Sequence, residues 1–249
     1  MNALRLAVSW LTVIPVSGPT KVDRGIAGHA ITLAPLIGLA LGAVAAGVSW
    51  LLVSAGLTTL LAGLLTVGLL ALLTRGMHLD GLADTVDGLG SYGPPQRARE
   101  IMKSGGAGPF GVAALLFAIA SQSVAFATLA EQQRWVAILL AVAAGRVAVV
   151  LACRTGIPAA PDAGFGALVA GTQPRAIALI WPALAVITAA VAVPDNLWLG
   201  PVVVLSALAS TVAITRHCVR RFEGLSGDIL GAVVEITVSV AAVGFSLAL

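Results

Sequence analysis

Seven apolar stretches, each near the length of a membrane span, leave this chain little choice of solvent or of secondary structure. They run from Ile31 to Val53, Leu57 to Leu73, Phe110 to Ala130, Trp135 to Ala152, Ala176 to Val193, Leu197 to Ile214 and Ile229 to Leu249. A helix needs roughly 20 residues to cross the hydrocarbon core. Within that core each backbone N–H and C=O must be satisfied inside the segment, so helices are expected. Charge agrees: only 10% of residues are Asp, Glu, Lys or Arg, and the mean hydropathy is +1.02, where soluble domains carry about 25% charged residues. The reading is an all-α fold, a single integral membrane domain over residues 1–249, built as a polytopic transmembrane helical bundle of about seven spans. Ser54-Ala55-Gly56 separates the first two stretches and predicts a tight helical hairpin, with one long bent helix as the alternative. The run Leu6 to Val16 is too short to span and is interrupted by Ser9, Thr12 and Pro15. It reads as an interfacial or re-entrant helix, not as a signal peptide.

Orientation follows from the basic residues. With seven spans, twelve of the fourteen fall on one side, from Arg5, Lys21 and Arg24 to Arg216, Arg220 and Arg221. Arg134 alone falls on the other, and Arg146 lies within a span. The positive-inside rule then predicts a cytoplasmic N-terminus and an outer C-terminus. Asp80, Asp84, Asp87, Glu100, Asp162, Glu223 and Asp228 share the basic side, whereas Glu131 and Asp195 do not. The long polar segments 74–109, 153–175 and 215–228 are therefore expected as cytoplasmic catalytic loops, which argues against a receptor or an exporter with an external site. Cys153 and Cys218 fall at the cytoplasmic ends of their spans and are expected as free thiols. The net charge of +3 is accounted for by topology and phosphate-facing candidates, so no nucleic-acid partner is indicated.

Three of the seven aspartates lie within the run His78-Leu79-Asp80-Gly81-Leu82-Ala83-Asp84-Thr85-Val86-Asp87-Gly88. If the run is helical, offsets of four and seven residues put Asp80, Asp84 and Asp87 on one face. Carboxylates roughly 6 Å apart repel by about 3 kcal/mol in a partly screened medium, equivalent to roughly two pH units. Such a face attracts a cation, and an oxygen-only set without cysteine points to Mg²⁺ or Mn²⁺ serving a substrate's phosphates. The same segment continues with a turn at Tyr92-Gly93-Pro94-Pro95, a short basic helix from Gln96 to Lys103, and the glycine-rich Ser104 to Gly111 before a spanning helix. Free N–H groups at that helix start suit an anion. Arg97, Arg99 and Lys103 are either phosphate contacts or topology determinants. Near the end, Asp228 and Glu235 lie seven residues apart and share a face of the last helix about 10 Å apart along the axis. Glu235 is then two turns inside the membrane, at a depth comparable with Arg146, and intramembrane ionisable groups are functional candidates. The two are expected to face the bundle interior and line a substrate cavity, with a structural ion pair or a snorkelling Arg146 as alternatives.

The run from His78 to Gly88 closely resembles the signature of the cobalamin synthase family, the adenosylcobinamide-GDP ribazoletransferases of the membrane. Pro35-Leu-Ile-Gly38, Glu100-Ile-Met-Lys103 with Gly108-Pro-Phe-Gly111, Arg154 with Gly164-Phe-Gly166, and Gly224 through Asp228 to Glu235 agree in order, so the resemblance covers about residues 10 to 245. It implies an inner-membrane transferase of a substituted phosphate group, acting on the cytoplasmic side. A ribose hydroxyl of α-ribazole, or of its 5′-phosphate, attacks the cobinamide-linked phosphorus of adenosylcobinamide-GDP and expels GMP, giving adenosylcobalamin or its 5′-phosphate. Mg²⁺ is the implied cofactor, with Mn²⁺ as a substitute. On this resemblance Asp80, Asp84 and Asp87 are assigned as metal ligands, one of them or His78 as the base, and Arg97, Lys103, Arg146, Asp228 and Glu235 as substrate contacts. His78 has capping or orienting the segment as its alternative role. Two departures stand out: Ser104-Gly105-Gly106 where relatives carry an acid and a base, and Val238 where they often carry a second glutamate.

Two other readings compete. The CDP-alcohol phosphotransferases also hold metals with clustered aspartates, but Asp84 stands where their pattern needs arginine, and Arg97 and Ile101 stand where it needs aspartates. A cation or metabolite transporter is the second, although transporters concentrate polar groups near the midplane and often show two related halves. Self-association, or anchoring of other enzymes of the cobalamin pathway, is compatible with the same sequence.

Overall fold

The computed structural model describes residues 2–161 and 164–247; Asp162 and the last two residues of the final apolar stretch lie outside that range. In chain order the helices are α1 (Asn2–Leu11), α2 (Arg24–Thr32), α3 (Ala34–Ser54), α4 (Thr59–Leu73), α5 (Met77–Gly90), α6 (Pro95–Met102), α7 (Pro109–Glu131), α8 (Trp135–Ala152), α9 (Phe165–Val169), α10 (Arg175–Thr188), α11 (Leu199–Phe222) and α12 (Gly227–Phe245), with a 3-10 turn at Ala189–Ala192. Among the described residues there are no strands, only isolated bridges joining Arg154 to Gln173 and Ala159 to Leu225. Six helices are long and apolar enough to span: α3, α7, α8, α10 with its 3-10 extension, α11 and α12. The seventh expected span is α4, which has only 15 residues and so reaches about 22 Å. It breaks from α5 at an angle of 91°.

That break has a local cause. At the end of α4 the Gly76 N–H donates to the Ala71 carbonyl at 2.7 Å and the Arg75 N–H to that of Leu72 at 3.1 Å, closing the last turn as a C-cap does. Arg75 and Gly76 both take positive φ, 57° and 68°, a conformation that glycine adopts without cost. The chain turns, and α5 runs nearly perpendicular to α4 and packs against α12 and α7. With three aspartates in its 14 residues, α5 carries its carboxylates toward the polar end of the bundle, while its first turn reaches Arg146 inside the span of α8.

The core is centred on α8, whose Ala137, Ile138, Ala141, Val142, Val147 and Val150 are buried against α3, α10, α11 and α12. Lipid tails are as apolar as leucine, so helix association in a bilayer depends on close packing of small residues. Gly38 and Gly42 accordingly face Ala143 and Leu139 of α8, and Gly63 faces Ser123 of α7. Leu72, Phe117, Leu179 and Ile187 remain exposed, as a lipid-facing surface requires.

The ion pairs among the described residues sort to the two ends. At one, Thr59 donates to Glu131, and Arg134 donates to the Phe245 carbonyl at 3.1 Å and pairs with Asp195 at 3.4 Å. At the other, Arg99 pairs with Glu223, Arg75 donates to the Ser9 carbonyl at 2.7 Å and Arg221 to that of Ser91 at 3.0 Å. The segments expected as loops are largely folded there. Segment 74–109 contains α5 and α6, and segment 153–175 contains α9. Most of 215–228 is the last two turns of α11, where Cys218 and Phe222 are buried while Arg216 and Arg220 face outward. Cys153 and Cys218 are free and buried.

Candidate active site

The aspartate run is helical, and its glycine decides what it meets. A Cβ on Gly81 would lie 2.6 Å from the carbonyl oxygen of Asp228 and 2.9 Å from its Cα, so only glycine lets α5 approach the start of α12 this closely. Ser226 caps α12, accepting from the Ile229 N–H at 3.4 Å, and this presents Asp228 beside α5. Asp80, Asp84 and Asp228 thus form one electrostatic cluster drawn from two motifs far apart in sequence. Burial, together with the charges of Asp80, Asp228 and Asp87, pushes the Asp84 carboxyl up to about 6. Asp80 is exposed, and Asp84 and Asp228 are half-buried.

Asp87 occupies a different setting. It is 9% exposed, and its two oxygens accept the backbone N–H groups of Gly108 at 2.6 Å and Gly111 at 2.9 Å. Its carboxylate therefore serves the N-terminus of α7, where orphan N–H groups and the helix dipole favour negative charge. The anion expected from a substrate at that helix start is supplied by the protein itself.

His78 is 6% exposed and Arg146 4% exposed, and Nδ1 of the imidazole lies 3.4 Å from a terminal guanidinium nitrogen. A guanidinium only donates, so Nδ1 accepts and Nε2 carries the hydrogen. In this state the ring is a neutral donor. Arg146 also donates to the Val142 carbonyl at 3.4 Å, and its Nε has no partner. Glu235 instead accepts from Gln122 at 2.8 Å. Arg146, Glu235, Gln122 and Val238 line one small cavity, as expected of an inward-facing pair, but no ion pair joins Arg146 to Glu235 among the described residues.

The basic candidates separate. Arg97 is exposed and pairs with Glu100 at 3.3 Å, and it lines neither cavity that touches the aspartates. Lys103 does: with Arg99, Met102, Phe222 and Asp228 it borders a narrow pocket. Asp228 also borders a cavity of about 300 Å³, whose lining includes Asp80, His78 and Arg75. Trp10 and Phe165, 4.7 Å apart and edge to face, belong to the same cavity. Arg75, Gln122, Trp10 and Phe165 are the residues that sequence reasoning passed over as site residues. Arg75 counts in the sequence only as a basic residue beside the motif, Phe165 appears only within Gly164-Phe-Gly166, and nothing local marks Trp10.

Among the described residues no three His, Cys, Asp or Glu side chains converge tightly enough to form a metal site by themselves. The donor set nevertheless suits a hard divalent ion: carboxylate oxygens only, mutually repelling, partly open, and without sulfur. Mg²⁺ keeps waters and takes substrate phosphates as ligands, so a partial protein cluster fits it.

The family model described as cobalamin-5-phosphate synthase matches residues 3–246. The chain is 39% identical to an adenosylcobinamide-GDP ribazoletransferase of Frankia casuarinae, covering 95% of this chain and 91% of that protein. It is 39% identical to one of Nocardioides sp., covering 96% and 95%, and 33% identical to one of Stutzerimonas stutzeri, covering 99% and 98%. No solved structure matches.

Proposed function

The chain belongs to the cobalamin-5-phosphate synthase family, and from that premise we propose that it joins α-ribazole, or its 5′-phosphate, to adenosylcobinamide-GDP with release of GMP. The observation that carries the reading is the contact of Gly81 with Asp228, which brings the acids of α5 and α12 to one place between an aromatic-lined cavity and a basic pocket. Moving a phosphoryl group between oxygens asks for positioning and for neutralisation of charge on both sides of the transfer. This site has parts for each.

In the reaction, a bond forms from a ribose oxygen to the cobinamide-bearing phosphorus, and the bond from that phosphorus to the bridging oxygen breaks. GMP leaves with the bridging oxygen. Asp84 and Asp228 would hold the cation, which when bound supplies charge neutralisation at the diphosphate. Asp80 faces the cavity and accepts the hydroxyl proton. Lys103 and Arg99, which border the narrow pocket with Asp228, meet the departing phosphate. His78 donates from Nε2 and does not act as the base, because Arg146 claims the lone pair on Nδ1. Asp87 anchors α7 and keeps α5 in register. The active end faces the cytoplasm of a cell inner membrane; the support is the charge asymmetry of the sequence together with the gathering of cations at that end of the bundle.

Purified protein in detergent, given adenosylcobinamide-GDP, α-ribazole and Mg²⁺, is expected to release GMP and form the joined product in equal amounts. Chelation stops the reaction, and Asp84→Asn lowers the rate at least about 100-fold, the scale of losing a charge-stabilising group. Detergent leaves no gradient, so turnover separates the enzyme from a transporter. GMP release independent of α-ribazole, or equal rates in the two proteins, overturns the proposal.

A further inference from the structure

Resting on that reading, we propose that the cavity beside Asp80 and Asp228 is the pocket for the base of α-ribazole, and that the corrinoid and the guanine stay outside it. At about 300 Å³ it lies at the small end of ligand sites. A nucleoside fits such a volume; a corrin ring with its amide side chains does not. Two candidates remain by size, the dimethylated benzimidazole of α-ribazole and the guanine of the activated corrinoid.

The lining separates them. Much of the cavity wall is apolar, from Trp10, Leu11, Ile31, Val149, Phe165 and Leu230. Guanine has a hydrogen-bonding edge, and burying it among such side chains leaves donors and acceptors unpaired. The benzimidazole edge that carries the two methyl groups has no such requirement. Trp10 and Phe165, with ring planes at 68°, make an aromatic corner in which a flat bicyclic ring stacks on one face and meets an edge on the other. Polarity then fixes direction. Asp80 and Asp228 lie on helices that touch at Gly81 and both border the cavity, so a base seated against the aromatics has its ribose beside the carboxylates. This is the orientation transfer needs, with the hydroxyl beside Asp80 and the diphosphate entering over Asp228 toward Lys103 and Arg99. Gly227 completes the wall. A Cβ there would lie 3.6 Å from the Phe165 ring, so a larger side chain at 227 would grow into the space the base occupies.

The test is steady-state kinetics of the full-length protein in detergent, with the KM of each substrate measured separately. Phe165→Ala is expected to raise the KM for α-ribazole about tenfold while that for adenosylcobinamide-GDP stays within about twofold, and Gly227→Leu has the same selectivity by filling the pocket. The wild-type protein supplies a control that needs no variant: the riboside of unmethylated benzimidazole is expected to show a KM about tenfold above that of α-ribazole, from two buried methyl groups. Guanosine should not compete with α-ribazole. Wild-type protein that releases no GMP refutes the reaction assigned above, and this pocket with it. An active wild type that handles both ribosides equally, or variants whose effect falls on the KM for adenosylcobinamide-GDP, refutes the pocket alone.

Discussion

The proposed site makes Asp87 a structural carboxylate and Asp84 a metal ligand within one motif, and substitution of Asp87 reads out which it is. Its two oxygens accept the Gly108 and Gly111 N–H groups at 2.6 and 2.9 Å in a buried position. Hydrogen bonds to a charged partner contribute about 1.5–3 kcal/mol each. Asp87→Asn keeps one accepting oxygen and turns an NH₂ toward the other N–H, so it is expected to cost about 2–3 kcal/mol; Asp87→Ala loses both bonds and is expected to cost about 4 kcal/mol. At about 2–4 °C per kcal/mol for a chain of this size, the Asn variant should melt roughly 5–10 °C below wild type. The assay is thermal unfolding in detergent with EDTA throughout, so that no metal contributes. Asp84→Asn is the internal comparison, because it relieves a crowded carboxylate and should not lower the melting temperature. If Asp87→Asn melts with wild type in EDTA and loses only the stabilisation brought by Mg²⁺, Asp87 is a ligand and the capping argument is wrong.

Other outcomes follow from the same geometry. The Asp84 carboxyl, pushed up to about 6 from an ordinary 3.8, binds its extra proton in the folded state between those values, so this contribution to stability is lost as pH rises through 6. Metal-free melting should therefore drop from pH 5 to pH 7 more in wild type than in Asp84→Asn, and identical drops refute the crowding. If His78 works through its Nε2 hydrogen, His78→Gln should keep the rate within about tenfold while His78→Ala loses about 100-fold, as for a lost electrostatic donor; an inactive Gln variant restores the base assignment. Tyr92 is 96% exposed at the aspartate end, and both native thiols are buried. A membrane-impermeant maleimide should label Tyr92→Cys in inside-out vesicles and not in intact spheroplasts, and the reverse pattern would invert the proposed orientation.

What the amino-acid order disclosed, and what it hid, has a physical basis. Helical class and number of spans were legible because apolar length in a bilayer has few structural solutions. The hairpin at Ser54-Ala55-Gly56 was legible as well: α3 ends at Ser54 and α4 begins at Thr59. The 91° break at Arg75-Gly76 was not, since a single glycine before a polar run looks like the entrance to a loop. Helix α5 was legible as the conditional helical reading of the aspartate run, but it is held against α12 and α7 by contacts that no local pattern encodes. At the site, Asp80 and Asp84 were conspicuous by spacing and Asp228 by motif, but their meeting depends on Gly81 being bare. The division between Asp84 and Asp87 escaped the helical-face argument because both share a face; what differs is the chain opposite, the start of α7. Arg146 and Glu235 were correctly expected to face inward, while their actual partners, His78 and Gln122, are set by tertiary packing.

The central claim is that acids from α5 and α12 form a single cation site, and Mn²⁺ binding followed by electron paramagnetic resonance tests it without turnover. Wild type should bind Mn²⁺ in the presence of adenosylcobinamide-GDP and absence of α-ribazole, and Asp228→Asn should weaken that binding about as much as Asp84→Asn does, by tenfold or more for a lost charged ligand. Undiminished Mn²⁺ affinity in Asp228→Asn, with Asp84→Asn impaired, would mean that the two helices do not share the ion.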